Sequence, residues 1–94
     1  MADDNCIFIS GKPFMNYVTG VVMQFTTKNA ENVVVKARGK FISRAVDVSE
    51  VAVKRFLTGQ IDVGDIAINS EEFQNKEGKK VRVSTIEITL NKRK

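Results

Sequence analysis

The sequence predicts an α+β protein whose elements follow the order β-α-β-α-β-β. Apolar residues recur at helical spacing in two segments, and four other segments are short, apolar and rich in β-branched residues. The polar stretch SEEFQNKEGKK at 70–80 separates the last two strands and predicts the tip of a long hairpin. Because the chain has 94 residues and neither a linker nor a repeat, residues 1–94 are expected to form a single domain.

A turn separates the first strand from the first helix. CIFI at 6–9 is a short apolar run that predicts a buried strand, and SGKP at 10–13 closes it. Pro13 suits the start of a helix, which is expected from about residue 13 to 28 with Asn29 as its end. Its apolar stripe consists of Phe14, Val18, Val21 or Val22, and Phe25.

The middle of the chain predicts a second strand and a second helix. NVVVKA at 32–37 is nearly continuous in apolar residues, which is typical of a central strand covered on both faces. After Gly39, a helix is predicted from about 42 to 57. Its main stripe consists of Ile42, Val46, Val53, Phe56 and Leu57, while Val48, Val51 and Ala52 lie off that stripe. The helix therefore carries more apolar surface than one sheet can cover.

The last two strands change their apolar phase along their length. In IDVGDIAIN at 61–69 the change falls at Gly64, as a β-bulge would produce. The final strand changes in the same way, because Val81 and Val83 are out of phase with the later apolar residues Ile86, Ile88 and Leu90. We therefore expect one apolar surface to be covered by a second copy of the chain, as in a homodimer.

Composition and charge exclude several classes of function. Lys and Arg number 15 against 11 Asp and Glu, so the net charge of +4 favours polyanionic partners. With no histidine and one cysteine, Cys6, the chain has neither an internal disulfide nor a Cys/His metal site, and no cofactor is expected. No apolar run approaches a membrane span, and the start MADDN lacks the features of a signal peptide. We expect a soluble, unprocessed, cytoplasmic protein.

The acidic residues do not predict an active site. Asp47 and Glu50 are close together on the second helix, but Lys54 follows Glu50 by four residues. This spacing predicts an exposed ion pair along the helix rather than a pair of catalytic carboxylates. An enzyme is therefore not expected.

The cations, in contrast, are grouped at structural junctions. Lys12 lies just before the first helix, where backbone N–H groups can hold a phosphate, although an ordinary solvated lysine fits that turn equally well. One cluster brackets the strand-to-helix turn and a second occupies the hairpin; they consist of Lys36, Arg38, Lys40 and Arg44, and of Lys76, Lys79, Lys80 and Arg82. Residues 92–94 add three more. Two clusters at defined junctions favour phosphate binding.

Two phenylalanines stand near these cations without predicting base recognition. Phe56 and Phe73 are expected to be core residues more than platforms on which a base could stack. No pair of aromatic residues on one strand resembles the pair that many RNA-binding sheets use. Recognition of particular bases is therefore not expected.

Four motifs resemble the Alba family of archaeal chromatin proteins, in register across almost the whole chain. They are ISGKPFMNYV at 9–18, VVKARGKFISRAVD at 34–47, KRFL at 54–57 and RVSTIEI at 82–88. The resemblance implies a two-layer fold in which two helices cover one face of a mixed four-stranded sheet, with a long hairpin arm. It also implies a homodimer that binds DNA and RNA with little sequence preference.

The resemblance also implies roles for individual residues. Lys12 matches a lysine at the centre of the dimer's nucleic-acid face, and Phe56 matches the position through which dimers pack side by side along DNA. The other implied contacts are Asn16 and Tyr17, the basic residues Lys36, Arg38, Lys40 and Arg44, and the arm residues Lys76, Lys79, Lys80 and Arg82. Gly11 stands where many members have an acetylated lysine, which argues against control by acetylation at this position.

Our main expectation is a chromosome-associated protein that coats or bridges duplex DNA and also binds RNA. Two alternatives stay open, and only the first is also a nucleic-acid-binding protein. One is an RNA-binding subunit of an RNA-processing particle, such as one that matures tRNA. The other is a protein-interaction module, for which the basic arm would be incidental.

Overall fold

The computed structural model describes residues 5–93, so the first four residues and Lys94, the last of the C-terminal cations, lie outside the described part. The order β-α-β-α-β-β is confirmed, and the elements are β1 (Cys6–Phe8), α1 (Phe14–Thr26), β2 (Asn32–Arg38), α2 (Ile42–Val51), β3 (Ile61–Gln74) and β4 (Lys80–Lys92). A 3₁₀ turn, Gly39–Phe41, precedes α2, and a π-helical turn, Ala52–Phe56, continues it.

The four strands form one mixed sheet in the order β1-β2-β4-β3. β1 runs parallel to β2, whereas β4 is antiparallel to both β2 and β3. Every second residue of β2, namely Val33, Val35 and Ala37, is buried against the helices together with its partner on β4. Both helices pack on this face, so the α+β prediction with two helices on one face is confirmed.

The first helix follows its prediction closely. α1 begins after Pro13 and buries Val18, Val21 and Phe25 in the core. Burying each such side chain stabilises the fold by about 1.5–3 kcal/mol. Beyond the helix, Asn29 adopts a left-handed conformation with a φ of 56°, which turns the chain towards β2.

Two strands are less covered than predicted. β1 is an edge strand, and Phe8 at its end is 69% exposed. In β2, Val34 and Lys36 are only half-buried, because both helices lie on the other side of the sheet. The predictions of a buried first strand and of a β2 covered on both faces are therefore wrong for this chain alone. We call this side of the sheet, which carries Phe8, Val34, Lys36, Arg38, Thr85 and Glu87, the open face.

The predicted apolar stripe of the second helix is also wrong. The helix buries Ala45, Val48, Ser49 and Ala52, whose small side chains allow it to pack closely on the sheet, whereas Val46 and Phe56 are 42% and 49% exposed. The π-helical turn also changes which side chains are buried at the end of the helix. The Leu57 N–H donates to the Ala52 carbonyl five residues earlier, at 2.9 Å, and Leu57 enters the core.

The predicted β-bulge in β3 is confirmed. Val63 pairs with Leu90 and Ile66 with Ile88, so three steps along β3 match two along β4. A Cβ on Gly64 would overlap the side-chain amide of Asn91, which would have to move, and would lie close to the Thr89 carbonyl oxygen. The matching prediction for β4 is wrong, since its pairing with β3 from Lys80 to Ile88 is continuous and Val81 and Val83 simply lie on the sheet's other side.

The hairpin arm extends further than the polar stretch 70–80 indicated. Its strands stay paired as far as Gln74 and Lys80, which confines the turn to residues 75–79. The Asn75 side-chain oxygen accepts hydrogen bonds from the backbone N–H groups of Glu77 and Lys79 at 2.9 and 3.0 Å. Gly78, with a φ of 80°, completes this turn. The arm gives the molecule a long axis of 48 Å against 24 and 21 Å.

Candidate nucleic-acid interface

The turn that carries Lys12 is held in place by the hydroxyl of Tyr17. This oxygen accepts hydrogen bonds from the backbone N–H groups of Ser10 and Lys12 at 2.9 and 3.1 Å, and the Ser10 hydroxyl lies 3.1 Å from it. Burial raises the pKa of Tyr17, but the hydrogen bonds from Ser10 and Lys12 and the Lys12 charge outweigh it, so this pKa lies below its ordinary value. Lys12 is exposed on a turn with a fixed shape.

Asn16 and Tyr17, near the start of α1, differ in their exposure to solvent. Tyr17, which the resemblance implied as a contact residue, is only 6% exposed and packs in the core. Its ring therefore offers no surface to a nucleic acid, whereas its hydroxyl is hydrogen-bonded to the turn that carries Lys12. Asn16 is exposed in the first turn of α1 and lines the same surface hollow as Lys12.

The structure brings Arg44 to Lys12, although 32 positions separate them in the chain. The Arg44 guanidinium donates a hydrogen bond from Nη1 to the Lys12 carbonyl oxygen at 2.9 Å. Gly39, with a φ of 55°, makes the turn after β2 that starts this approach. Lys40 is exposed one helical turn before Arg44. We call Lys12, Lys40 and Arg44, which follow the carboxyl ends of β1 and β2, the strand-end cluster.

Lys36 and Arg38 are separated from that cluster, because they lie on the open face. The Arg38 guanidinium contacts Glu71 at 2.7 Å, and the Lys36 ammonium lies 4.0 Å from Glu87. Both ion pairs are exposed, and such pairs contribute only about 0–1 kcal/mol. A phosphate could therefore replace either carboxylate at little cost. The sequence indicated Glu71 as an acid near the arm, but its pairing with Arg38 depends on the strand order.

The arm places its four cations away from the body. Lys76 and Lys79 lie in the turn, Lys80 and Arg82 begin β4, and all four are exposed. Glu72 faces Arg82 across the hairpin, and Glu77 lies in the turn. Phe73, expected in the core, is 45% exposed on the arm, so that expectation is wrong.

Lys92 and Arg93, the two C-terminal cations within the described residues, lie at the other end of the sheet and have structural partners. Arg93 forms two hydrogen bonds with Asp62 at 2.7 and 2.9 Å, which lower the pKa of that carboxyl. Lys92 donates to the Asn29 side-chain oxygen at 2.5 Å. The expected helical ion pair is also present, with Lys54 at 3.0 Å from Glu50. The partners of Lys92 and Arg93 are contacts that the sequence alone did not predict, whereas the Lys54–Glu50 pair confirms its prediction.

An exposed apolar surface runs along α2 and the helix-facing side of β3. It contains Val46, Val63, Ile66 and Ile68, of which Ile68 is 79% exposed, and we call it the α2–β3 apolar face. Ile42 and Ile86 line a hollow beside Ile68. Exposed apolar areas of this kind mark sites of protein association. Phe56 is half-exposed at the end of the π-helical turn.

The part of the chain that spans residues 5–93 has no group of three or more cysteine, histidine or acidic side chains arranged to hold a metal ion. None of the helices in it is both long and apolar enough to cross a bilayer.

The sequence and the fold of this chain are similar to those of known archaeal proteins. A sequence model of the Alba family matches residues 5–70. The DNA/RNA-binding protein Alba of Nanoarchaeum equitans is 59% identical over 88 residues, which cover 93% of this chain and 97% of that protein. The protein of the same name from Methanococcus maripaludis is 47% identical over 89 residues, covering 95% and 99%. The solved structure of Alba from Thermoplasma volcanium has a TM-score of 0.83 at 45% identity, covering 93% of this chain and 99% of that one.

Proposed function

Because this chain belongs to the Alba family, we propose that it binds double-stranded DNA and RNA through the strand-end cluster and the hairpin arm. The hydrogen bond from Arg44 to the Lys12 carbonyl is the observation that carries this proposal, since it joins two distant basic segments into one surface. The arm adds exposed cations at a distance from the body. Cations that contact phosphates hold the protein on the duplex without selecting a sequence.

The family also bears on catalysis. The archaeal relatives are named as binding proteins, which agrees with the expectation that this chain is not an enzyme.

The binding unit in this proposal is a homodimer that associates through the α2–β3 apolar face. Ile66 and Ile68 are 56% and 79% exposed on β3. In a dimer with a two-fold axis, each chain would cover these residues of the other. Such a pairing doubles the strand-end cluster and gives the dimer two arms. One dimer can then contact a duplex at several phosphates.

We further propose that dimers associate side by side on DNA through Phe56 and that the protein coats or bridges duplex DNA on the chromosome, in the cytoplasm. The half-exposed ring of Phe56 supports this step, because an exposed aromatic side chain is a suitable anchor for a protein contact.

The salt dependence of binding tests the proposed interface. If a dimer neutralises roughly six phosphates, the logarithm of affinity for duplex DNA should fall with the logarithm of salt concentration at a slope of about −5. Lys12→Ala should flatten this slope by about two, since a dimer loses two phosphate contacts.

A matched control is Lys28→Ala, because Lys28 is exposed beyond the opposite end of α1. Its slope should stay that of the unmodified protein. An unchanged slope for Lys12→Ala would move the binding surface elsewhere, and undetectable duplex binding by the unmodified protein would overturn the proposed function as a whole.

A further inference from the structure

An exposed aromatic ring stands on the open face, apart from the apolar surface assigned to the homodimer. Phe8 is 69% exposed, the highest value among the large apolar side chains of residues 5–93 after Ile68. It lies on the edge strand β1, and the α2–β3 apolar face reaches β3 at the opposite edge of the sheet. Phe8 therefore stays exposed in the proposed dimer, and its exposure is not explained by that association.

The surroundings of Phe8 are basic and partly aromatic. The Lys36 ammonium lies 5.6 Å from the centroid of the Phe8 ring, within the range of a cation–π contact. Phe8, Lys36, Arg38 and Phe41 line one hollow of about 310 Å³. The Lys40 ammonium lies 5.4 Å from the Phe41 ring. Two aromatic rings and three cations thus come together from β1 and the continuous segment 36–41.

The charges of this hollow favour an anionic ligand. Lys36 and Arg38 line this hollow, and none of its lining residues is acidic. Their partners Glu87 and Glu71 line a neighbouring hollow and form exposed ion pairs that are easily exchanged. A phenyl ring beside such cations matches the two parts of a nucleotide, since the base can stack on the ring while its phosphate contacts a cation. In duplex nucleic acid the faces of the bases are covered by their neighbours, so only an unpaired base can use the ring.

The ring is also continuous with the proposed duplex-binding surface. Phe8 borders a second hollow, whose other residues include Lys12 and Asn16. A strand that leaves a duplex at the strand-end cluster would therefore meet Phe8 as it passes over the edge of the sheet.

We propose that Phe8 is a stacking platform for an unpaired base and that the open face binds single-stranded nucleic acid with Lys36 and Arg38 as phosphate contacts. This mode rests on the proposed function in that the ligand is a nucleic acid, but it uses a different surface from duplex binding. Because stacking uses the face of the base, single-stranded RNA and DNA are both ligands.

The test compares single strands and a duplex on the full chain. The probes are a labelled RNA of about 12 nucleotides without internal pairing, the DNA strand of the same sequence, and the corresponding duplex DNA. Phe8→Ala should weaken binding of both single strands by roughly tenfold or more and leave duplex affinity within about twofold. Met23→Ala is the matched control, since Met23 is 48% exposed on α1, and it should change neither affinity.

A second variant reports stacking directly. The chain contains no tryptophan, so Phe8→Trp introduces a single indole at the platform. Its fluorescence should be quenched when a single strand is added and change little with duplex, while single-strand affinity is kept. Because the Phe8 ring is mostly exposed, both variants should retain the circular dichroism spectrum of the unmodified protein.

Several outcomes would overturn the stacking platform. They are an equal loss for single strands and duplex in Phe8→Ala, no loss for either, a loss for only one of the two single strands, or an unquenched indole. Loss of self-association in Phe8→Ala with unchanged single-strand affinity would assign the ring to a protein contact instead. If the unmodified protein binds duplex DNA and Phe8→Ala has no effect, the proposed function stands and only this inference fails.

Discussion

The hydroxyl of Tyr17 determines the shape of the turn from which Lys12 extends. It accepts two backbone hydrogen bonds, from Ser10 and Lys12, and thereby fixes the turn against the first helix. Arg44 donates a hydrogen bond to the carbonyl oxygen of Lys12, the residue whose N–H group donates to Tyr17. Two side chains from separate helices thus hold the backbone of one basic residue, which reduces the entropy that Lys12 would lose on binding a phosphate.

Tyr17→Phe should separate the contribution of the Tyr17 hydroxyl from that of its buried ring. The variant keeps the buried ring but leaves the N–H groups of Ser10 and Lys12 without their acceptor, so we expect the melting temperature to fall by about 5 °C. Duplex affinity should fall as well, because the Lys12 turn is no longer held. Calorimetry and a binding titration measure the two effects. A variant with unchanged stability and affinity would contradict the positioning role.

At the scale of elements, the π-helical turn decides which side chains at the end of the second helix are buried. The extra residue in this turn directs Leu57 into the core and leaves Phe56 half-exposed. π-helical turns of this kind occur frequently at functional sites. Here the turn presents an aromatic ring at the surface without weakening the core beneath it.

Phe56→Ala should therefore reduce association between dimers and leave the fold intact. Because about half of the ring is exposed, the change in unfolding free energy should be below about 1 kcal/mol. Binding to a long duplex should become less cooperative, while binding to a duplex that holds one dimer stays the same. The steepness of the two titrations measures this difference. A large loss of thermal stability would instead assign Phe56 to the core.

The hairpin arm is the second element that matters for binding. Its strands pair without interruption from Ile66 to Gln74, and its turn is closed by the Asn75 side chain. Such an arm can hold its cations at a fixed distance from the body. The Asn75 side-chain oxygen is already used within the turn, so we expect the exposed lysines there to contact phosphates and not base edges.

Replacing Lys79 and Lys80 with alanine should weaken binding to duplexes of different sequence by similar factors. A dimer loses four arm lysines, so the salt slope should flatten by about two to four if each contacts a phosphate. Titration of an A·T-rich and a G·C-rich duplex at several salt concentrations measures both quantities. A loss confined to one of the two sequences would contradict phosphate contact and indicate reading of bases by the arm.

At the scale of the whole molecule, the surface is divided into regions of different character. The strand-end cluster and the arm are basic, the α2–β3 face is apolar, and the open face combines Phe8 with paired charges. In a chain of 94 residues this apolar face is a large share of the surface. Covering it with a second copy would stabilise the fold and keep the basic regions exposed.

The protein should therefore be a dimer in solution, with twice the mass of the 10.5 kDa chain at micromolar concentration. Ile68→Asp should shift it towards the monomer, because a carboxylate at the centre of the apolar face would lose its hydration on association. Met23→Asp, on the exposed side of α1, is the matched control and should remain dimeric. Light scattering that gives a monomer for the unmodified protein would contradict the homodimer.

The sequence by itself determined the order of the elements, the core face of α1 and the bulge at Gly64. These are local properties, because the spacing of apolar residues and a change of its phase are defined by a few neighbouring positions. The family was also readable from the sequence, since its motifs are short continuous segments. The family model matches residues 5–70, which contain the first three motifs, and a relative is similar over 93% of the chain.

Only the tertiary structure decided which faces are covered and which charges meet. The predicted stripe of the second helix was wrong because its small residues Ala45 and Ala52 give the closest packing, and because a π-helical turn has no clear signature in residue spacing. Arg44 reaches Lys12 and Phe8 reaches Lys36 only after distant strands have paired. Contacts between residues far apart in the chain depend on strand order and helix packing, which a local pattern does not specify.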